Sequence, residues 1–509
     1  MATNHDHYHL QQNSDDEETS LSNTPQKELG NGRRNYTPQG NNRPVVVKVD
    51  ANGKAHAEVG SSSEREAFLP QVTAIDPDDG EVSRSNGKVH AFELEEPSAP
   101  TDKFMLVYLI LLVHGIGTLM PWNMFITAES YFTDYKLATN GSDSSEYRKN
   151  FISYLGITAQ IPNVLLNLIN MFFQCGGGGT TVRVVVSISV MVVFFIVTVV
   201  LAMIDTSEWP GVFFAVTMGT VVIINMATGV YQNSIYGLAA NLPMKYTNAV
   251  VLGSNTSGTL TSVISILALA GTPDPRTSAI YYFVAAIIVL LIAFDTFFAL
   301  PLLKFYRYYH TQGVEALHEE EHKHHRSRPP YWKVFKKVWV QLFNVWFVFF
   351  VSLTCFPSIQ VNVEMLDENF MNPRYFTPVT CFLFFNAFAM MGNLTTEWIK
   401  KPGPKWVWIP IVLRVLFIPF FLMCNYRPEH RSFPVIIGND YVYCLGGIIM
   451  AFTSGYFSSL CMMYAPHQVG PEFAGTAGMM AAFFLVFGIF SGVNFSLFVA
   501  WLVEAIHVD

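Results

Sequence analysis

The sequence predicts an all-α polytopic membrane protein with eleven transmembrane helices, six before and five after a long polar connection. Composition is the first observation that predicts this class. Of the 509 residues, 51% are hydrophobic and 14% are charged, which is more apolar surface than one soluble core buries. The second observation is the recurrence of apolar windows of about 20 residues, the length that crosses roughly 30 Å of hydrocarbon. Most of these windows are rich in Val, Ile, Phe and Leu on all sides, as helices in lipid are.

These windows divide the chain into a tail, two lobes and a connection. Residues 1–100 are rich in Asn, Ser, Asp, Glu, Gly and Pro, and we predict a disordered cytosolic N-terminal tail without a cleaved signal peptide. Residues 101–303 form the predicted N-terminal lobe and residues 334–509 the C-terminal lobe, with a His-, Lys- and Arg-rich cytosolic loop at 304–333. The predicted spans are residues 104–127, 151–173, 182–204, 210–239, 247–270, 279–303, 334–357, 376–399, 406–424, 439–463 and 473–503.

Basic residues on alternate connections set the predicted orientation. Arg183, Lys245 and the run Lys304–Lys337 lie on alternate connections, whereas the connections between them are acidic. Because cytosolic loops carry the excess of Lys and Arg, the N-terminus is predicted in the cytosol and the C-terminus outside the cell. The first external loop then carries Asn140, in an Asn-Gly-Ser sequon, as the predicted glycosylation site. The plasma membrane is the expected location, with an endolysosomal membrane as the alternative.

The sequence predicts no catalytic residues, no cofactor and no metal site. The segment His318–His322 matches the H-E-x-x-H zinc pattern, but it lies in a charged connection without an apolar helix face to bury a metal ion. The run Gly176–Gly179 lacks the Gly-Lys-Ser/Thr of a phosphate loop. The six cysteines have no C-x-x-C spacing, so we expect buried thiols. The expected partners are a small-molecule substrate and the lipid bilayer, without nucleic acid, and the oligomeric state is not defined.

Polar and charged residues inside the apolar spans are the candidates for function. In the first span, Pro121 frees a backbone carbonyl and Asn123 needs polar partners, so Trp122 between them is predicted to line a pathway. An interfacial aromatic belt is the alternative position for this tryptophan. Arg414 in the ninth span is either a structural group within its lobe or a functional charge. Asp295 in the sixth span is a structural charge or a candidate for binding a coupled proton.

Eight segments between Pro100 and Leu502 carry a family resemblance. They are GIGTLMPWNMFITAESYF (115–132), QIPNVLLN (160–167), YQNSIYGLAANLPMKYT (231–247), ALPLLKFYRYY (299–309), TPVTCFLFFNAF (377–388), LRVLFIPFFLMCN (413–425), GYFSSLCMMYAP (455–466) and GTAGMMAAFFLVFG (475–488). On these segments the chain resembles the equilibrative nucleoside transporter family, solute carrier family 29, as a divergent member. The resemblance implies a two-lobed, major-facilitator-like bundle. It also implies facilitative transport of nucleosides, nucleobases or related small polar solutes by alternating access.

The resemblance further implies which residues line the solute site. The matching positions in this sequence are Leu119, Trp122, Ile126, Gln160, Asn163, Gln232 and Asn386. Their chemistry suits a nucleoside, because Trp122 can stack on a base and each amide offers both a donor and an acceptor. For Gln232, a hydrogen bond that only links two helices is the alternative.

The eighth span departs from the family pattern. The family typically carries an Asp and, four residues on, an Arg that grip the ribose, and the matching residues here are Ala389 and Asn393. Asn386, Ala389 and Asn393 share one helical stripe, so Asn393 retains a polar contact while the charge-assisted hydrogen bonds are lost. We therefore expect weaker nucleoside binding. The alternative function is a divergent member with an altered solute or little transport, acting as a sensor or scaffold.

Overall fold

The computed structural model describes residues 45–49, 55–59, 99–129, 131–138, 148, 151–173, 179–271, 274–324, 329–367, 369–428, 431 and 434–505. The chain divides into two units, residues 1–96 and 97–509. In the first unit, strands β1 (Val45–Val49) and β2 (Ala55–Val59) form an antiparallel pair. These segments depart from the predicted disorder because β1 is mostly valine, which favours extended backbone. The tail residues up to 44, at 50–54 and at 60–98, together with Asn140 and Cys175, lie outside the described residues.

Six helices of the second unit form the N-terminal lobe, and each is long and apolar enough to cross a membrane. The side chain of Asp274 caps the sixth helix by accepting hydrogen bonds from the backbone N–H groups of Arg276 and Thr277. The hydrogen bond from the Thr277 hydroxyl is the main cause that lowers the pKa of Asp274. The helices are α1 (Leu106–Thr127), α2 (Phe151–Phe172), α3 (Gly179–Met203), α4 (Pro210–Ala240), α5 (Met244–Gly271) and α6 (Pro275–Ala299).

The connection between the lobes contains a helix where the sequence predicts a loop. Helix α7 runs over Lys304–His324. Phe305 and Tyr306 are buried and Tyr309 packs against the hydrophobic core, so three aromatic residues form the inner face of its first turns. Because charged residues dominate the segment, its composition does not reveal this short amphipathic pattern. The predicted connection between the lobes is therefore helical over these residues.

The C-terminal lobe has five helices, of which the third is short and interrupted. It consists of the helices Trp408–Leu413 and Phe417–Met423, joined by a 3₁₀ turn at Arg414–Leu416. Pro419 has no N–H to bond the Val415 carbonyl, as a continuous α-helix would require, so the helix restarts just before it. The five helices are α8 (Tyr331–Cys355), α9 (Pro373–Thr395), α10 (Trp408–Met423), α11 (Asp440–His467) and α12 (Pro471–Ala505).

These helices confirm the predicted all-α, six-plus-five architecture of the membrane unit. Among the described residues, ten helices are long and apolar enough to cross a membrane, and α10 is a shorter apolar helix. The described cysteines are free and buried, as expected, and they are Cys355, Cys381, Cys424, Cys444 and Cys461.

The two lobes meet along two lines of helix contact. Helices α2 and α4 contact α12, and α5 contacts α9 and α11. On the first line, a Cβ added to Gly478 would lie 2.7 Å from the Tyr236 carbonyl oxygen and would also overlap the Ala240 Cβ. The backbones of α4 and α12 can approach this closely only because the residue is glycine. We call this contact, around Gly237, Gly475 and Gly478, the glycine seam.

Candidate functional site

The polar break in α1 lies one turn before the end of the helix. Trp122 is half-buried and packs against the hydrophobic core, and the Asn123 Nδ2 donates to the Ser257 Oγ of α5 at 3.1 Å. Leu119 and Ile126 are also half-buried, about one turn before and one turn after Trp122. Asn123 therefore has the protein partner that lipid cannot supply, which agrees with a helix that faces protein.

A row of asparagines follows one face of α2. Asn163, Asn167 and Asn170 are spaced four and three residues apart and are at most 9% exposed. The Asn170 Nδ2 donates to the Asn233 Oδ1 of α4 at 2.8 Å, and the Asn233 Nδ2 donates to the Asn167 Oδ1 at 2.8 Å and to the Met479 carbonyl of α12 at 2.9 Å. The row thus links three helices and both lobes. Only Asn163 is predicted from the sequence, although the asparagine spacing in QIPNVLLNLIN indicates the whole row.

Gln160, Asn163 and Gln232 lie where α2 crosses α4. Gln160 and Gln232 are buried, at 6% and 1% exposed. A Cβ added to Gly229, three residues before Gln232, would lie 2.6 Å from the Asn163 carbonyl oxygen, so the two helices touch here. The Asn163 Oδ1 is buried and has no hydrogen-bond partner among the described residues. A buried acceptor of this kind needs an explanation, because leaving it unpaired costs about 1–3 kcal/mol.

Amide side chains of α9 point across the second line of lobe contact toward α5. The Asn386 Nδ2 donates to the Phe382 carbonyl at 2.9 Å and to the Ser262 Oγ of α5 at 3.4 Å. Two turns further on, the Asn393 Oδ1 accepts from the Asn255 Nδ2 of α5 at 3.2 Å. We call this contact, around Asn255, Ser262, Asn386 and Asn393, the amide seam.

Ala389 and Asn393, the two departures from the family pattern, are sealed between helices. Ala389 is 1% exposed and Asn393 is fully buried. A Cβ added to Gly455 of α11 would overlap the Ala389 carbonyl and the Asn393 Oδ1, so α11 lies directly against this stretch of α9. Both neutral residues are therefore enclosed by the packing of α9 against α11.

Neither intramembrane charge has a described hydrogen bond to the residues that define the seams. Arg414 is 3% exposed and donates to the Val348 carbonyl at 3.3 Å, the Ser352 Oγ at 2.8 Å and the Met450 carbonyl at 3.1 Å, all within the C-terminal lobe. This set of partners is the one expected of a structural group. Asp295 is exposed on the outer surface of α6, one turn before that helix ends.

The predicted site residues therefore form two groups. Ser257, the partner of Asn123, is followed in α5 by Gly258, where an added Cβ would overlap the Asn386 Oδ1. One turn of α5 thus joins the α1 residues to Asn386. Gln160, Asn163 and Gln232 form the second group at the α2–α4 crossing, beside the asparagines that reach α12. Both groups lie next to a contact between the lobes.

Comparison with known proteins gives consistent matches over most of the chain. The family model for nucleoside transporters matches residues 218–501. Equilibrative nucleoside transporter 3 of Rattus norvegicus is 31% identical over 422 residues, which covers 77% of this chain and 88% of that protein. Equilibrative nucleoside transporter 1 of Homo sapiens is 31% identical over 447 residues, covering 78% and 97%. The crystal structure of the human organic anion transporter MFSD10 has the same fold, with a TM-score of 0.50 at 12% identity over 80% of this chain and 96% of that one.

Proposed function

The chain belongs to the equilibrative nucleoside transporter family, and from this premise we propose that it holds a neutral, nucleoside-like solute between its two lobes. Membership makes it a multi-pass facilitative transporter and not an enzyme. Transporters with two such lobes expose a central site to one side of the membrane and then to the other. The proposed site comprises both groups of residues beside the seams.

The observation that carries this proposal is the unpartnered Oδ1 of Asn163. It is buried at a helix crossing, and the buried amides Gln160 and Gln232 lie in the same region. An amino or hydroxyl group of a solute would supply the missing donor, and the two glutamines can both donate and accept. Trp122 supplies an aromatic face on which a base can stack.

The neutrality of the site limits the affinity for a ribose. Ala389 has no polar side-chain atom, and Asn393 already accepts a hydrogen bond from Asn255. A hydrogen bond to a charged group is worth about 1.5–3 kcal/mol, against about 1 kcal/mol for a neutral pair. We therefore propose that the solute is recognised mainly through its base or amide-like edge.

The proposed orientation places the N-terminus in the cytosol and the C-terminus outside, in the plasma membrane. Lys304 at the start of α7 and Lys333 at the start of α8 lie on the connection between the lobes, which supports a cytosolic position for that connection. Asn140 would then be glycosylated in the first external loop, and an endolysosomal membrane remains the alternative location. Substitution of Asn140 by Gln, followed by electrophoretic mobility with and without glycosidase, tests this part of the proposal.

Uptake by a tryptophan variant tests the solute site. We expect Trp122→Ala to lose most uptake of the transported nucleoside at equal membrane expression, because no neighbouring polar group replaces a stacking face. Trp339→Ala is the matched control, since that tryptophan is 54% exposed on the outer face of α8 and should leave uptake unchanged. Equal uptake by the two variants would remove Trp122 from the site.

A thermal-shift series identifies the solute class. Ligands that bind only the folded state raise the apparent stability of the purified protein. We expect stabilisation by nucleosides or nucleobases and none by organic amines. Stabilisation by amines alone would contradict a nucleoside-like solute.

A further inference from the structure

A carboxylate beyond the end of α9 joins the two lobes at one end of the bundle. Glu397 lies two residues after α9 ends at Thr395, and its Oε1 accepts from the Asn248 Nδ2 at 2.7 Å and from the Tyr108 hydroxyl at 3.3 Å. Asn248 is fully buried in α5 and Tyr108 is 7% exposed in α1. Both donors belong to the N-terminal lobe, whereas the acceptor belongs to the C-terminal lobe.

Glu397 is fixed to its own lobe through the segment that follows it. The Tyr456 hydroxyl of α11 donates to the Ile399 carbonyl at 3.1 Å and also to the Lys401 carbonyl. The Tyr464 hydroxyl, two turns further along α11, donates to the Lys400 carbonyl at 2.9 Å. The segment that carries Glu397 therefore moves with the C-terminal lobe.

A second pair of a tyrosine and a carboxylate stands beside the first, but it lies within one lobe. The Tyr246 hydroxyl of α5 donates to the Asp102 Oδ2 at 3.0 Å, and the Asp102 carboxylate also accepts from the backbone N–H groups of Val107 and Tyr108. The rings of Tyr108 and Tyr246 meet edge to face, with centroids 6.3 Å apart. The two pairs share chemistry and location and differ in whether they cross between the lobes.

We propose that Glu397 is a gating residue, and that its hydrogen bonds to Tyr108 and Asn248 hold this end of the solute pathway closed. Because the lobes move against one another in alternating access, bonds between them break each time this end opens. Charge-assisted bonds that exist in only one state shift the equilibrium toward that state. We call these three residues the carboxylate latch. The proposal rests on alternating access by this transporter, and not on the identity of its solute.

Two cysteine reporters distinguish an opened latch from a loosened fold. Leu252, 7% exposed, lies on the same face of α5 as Asn248 and Asn255, so Leu252→Cys reports opening at the latch end. Ile126→Cys, near the opposite end of α1, reports opening there. Labelling rates with a polar thiol reagent are measured on the full chain in lipid nanodiscs without solute. The parent chain with its own cysteines gives the background.

The expected result is an asymmetric change in labelling. Glu397→Gln should raise the labelling rate of the Leu252→Cys reporter roughly tenfold and Tyr108→Phe should raise it roughly threefold, while the Ile126→Cys reporter slows. Tyr246→Phe removes an equivalent hydroxyl within one lobe and should leave both rates unchanged. In the double variant Glu397→Gln with Tyr108→Phe, the effects should fall short of additive, because both changes break one contact.

Three outcomes would contradict the proposal that these residues form a latch. They are unchanged labelling in Glu397→Gln, an effect of Tyr246→Phe equal to that of Tyr108→Phe, and a parallel rise at both reporters, which indicates a loosened fold. The labelling rates are measured without solute, so they would still test the latch if the protein did not transport nucleosides. The experiment therefore distinguishes a wrong solute from a wrong gating residue.

Discussion

The glycine seam and the amide seam join the two lobes through different kinds of contact. In the glycine seam, Gly478 of α12 lies against the Tyr236 carbonyl and the Ala240 Cβ of α4, and one side-chain hydrogen bond, from Asn233 to the Met479 carbonyl, joins the same helices. In the amide seam, Asn386 and Asn393 reach α5 through side-chain hydrogen bonds to Ser262 and Asn255. Side-chain hydrogen bonds break and re-form at a net change of about 1 kcal/mol each, whereas a backbone contact has no flexible group that can yield.

This difference indicates where the lobes separate during transport. We expect the contacts of the amide seam and of the carboxylate latch to break more readily than the backbone contact of the glycine seam. The α1 residues and Asn386 then lie beside contacts that can be exchanged, whereas Gln160, Asn163 and Gln232 lie near the glycine seam. Three sets of substitutions test the contrast between the seams, and they are described from the largest expected effect to the smallest.

Charges placed in the amide seam should have the largest effect. Ala389→Asp or Asn393→Arg alone buries an unpaired charge, which costs roughly 2.5–3.5 kcal/mol at the centre of a membrane helix. The double variant should be less damaging than the sum of the two and should bind a ribonucleoside more tightly, because charge-assisted hydrogen bonds are restored. Membrane expression and nucleoside binding of all four chains measure this coupling.

Asn393→Gln controls for size in this cycle, because it enlarges the side chain beside Gly455 without adding a charge. Additive effects of the two charges would show that residues 389 and 393 do not share a partner or a ligand. If the effects are coupled but nucleoside affinity is unchanged, the stripe formed by Asn386, Ala389 and Asn393 is adapted to a different solute.

A methyl group in the glycine seam should have the next largest effect. Gly478→Ala forces α4 and α12 apart, and overpacking of this kind costs about 1–3 kcal/mol. The melting temperature in detergent and the uptake rate should both fall. Gly219→Ala is the matched control in α4, since no atom of a neighbouring helix lies within 4 Å of an added Cβ there. A Gly478→Ala protein as stable and active as the control would show that this seam is not tightly packed.

The smallest effect is expected where a glycine of α5 faces a flexible side chain. Gly258→Ala displaces the Asn386 amide, whose end can rotate away, at a cost of about 1 kcal/mol. Because Asn386→Ala removes the obstructing atoms, Gly258→Ala should be nearly harmless in that background. Thermal stability of the four chains gives the coupling free energy. A coupling near zero would place Asn386 away from α5 in the membrane.

The membrane-spanning helices were largely predictable because their length and composition are dictated by the bilayer. Helix α10 was predicted as an ordinary span, since a hydropathy window does not register that Pro419 interrupts the hydrogen-bond ladder. Helix α7 was predicted as a loop, because its charged residues outnumber the aromatic residues on its buried face. In both cases a local backbone pattern is lost when hydropathy or charge is averaged over the whole segment.

The candidate site was only partly predictable, because an apolar helix gives little information about its faces. Asn163 was identified through the family resemblance, while Asn167, Asn170 and Asn233 were missed. Asp295 was predicted to lie among apolar side chains and is exposed on the bundle surface. Which way a residue faces depends on neighbouring helices that are distant in sequence, and one chain does not reveal them.

The interruption in α10 has a consequence for the surrounding lipid. The six, three and seven residues of its successive parts rise about 25 Å in total, less than the roughly 30 Å of an average hydrocarbon layer. Trp408, Leu413 and Leu416 are exposed on this helix and therefore face the acyl chains. A span this short favours thinning of the bilayer beside it, at a cost of fractions of a kcal/mol per Å of mismatch. We expect this transporter to work faster in short-chain lipids than in thick, sterol-rich ones.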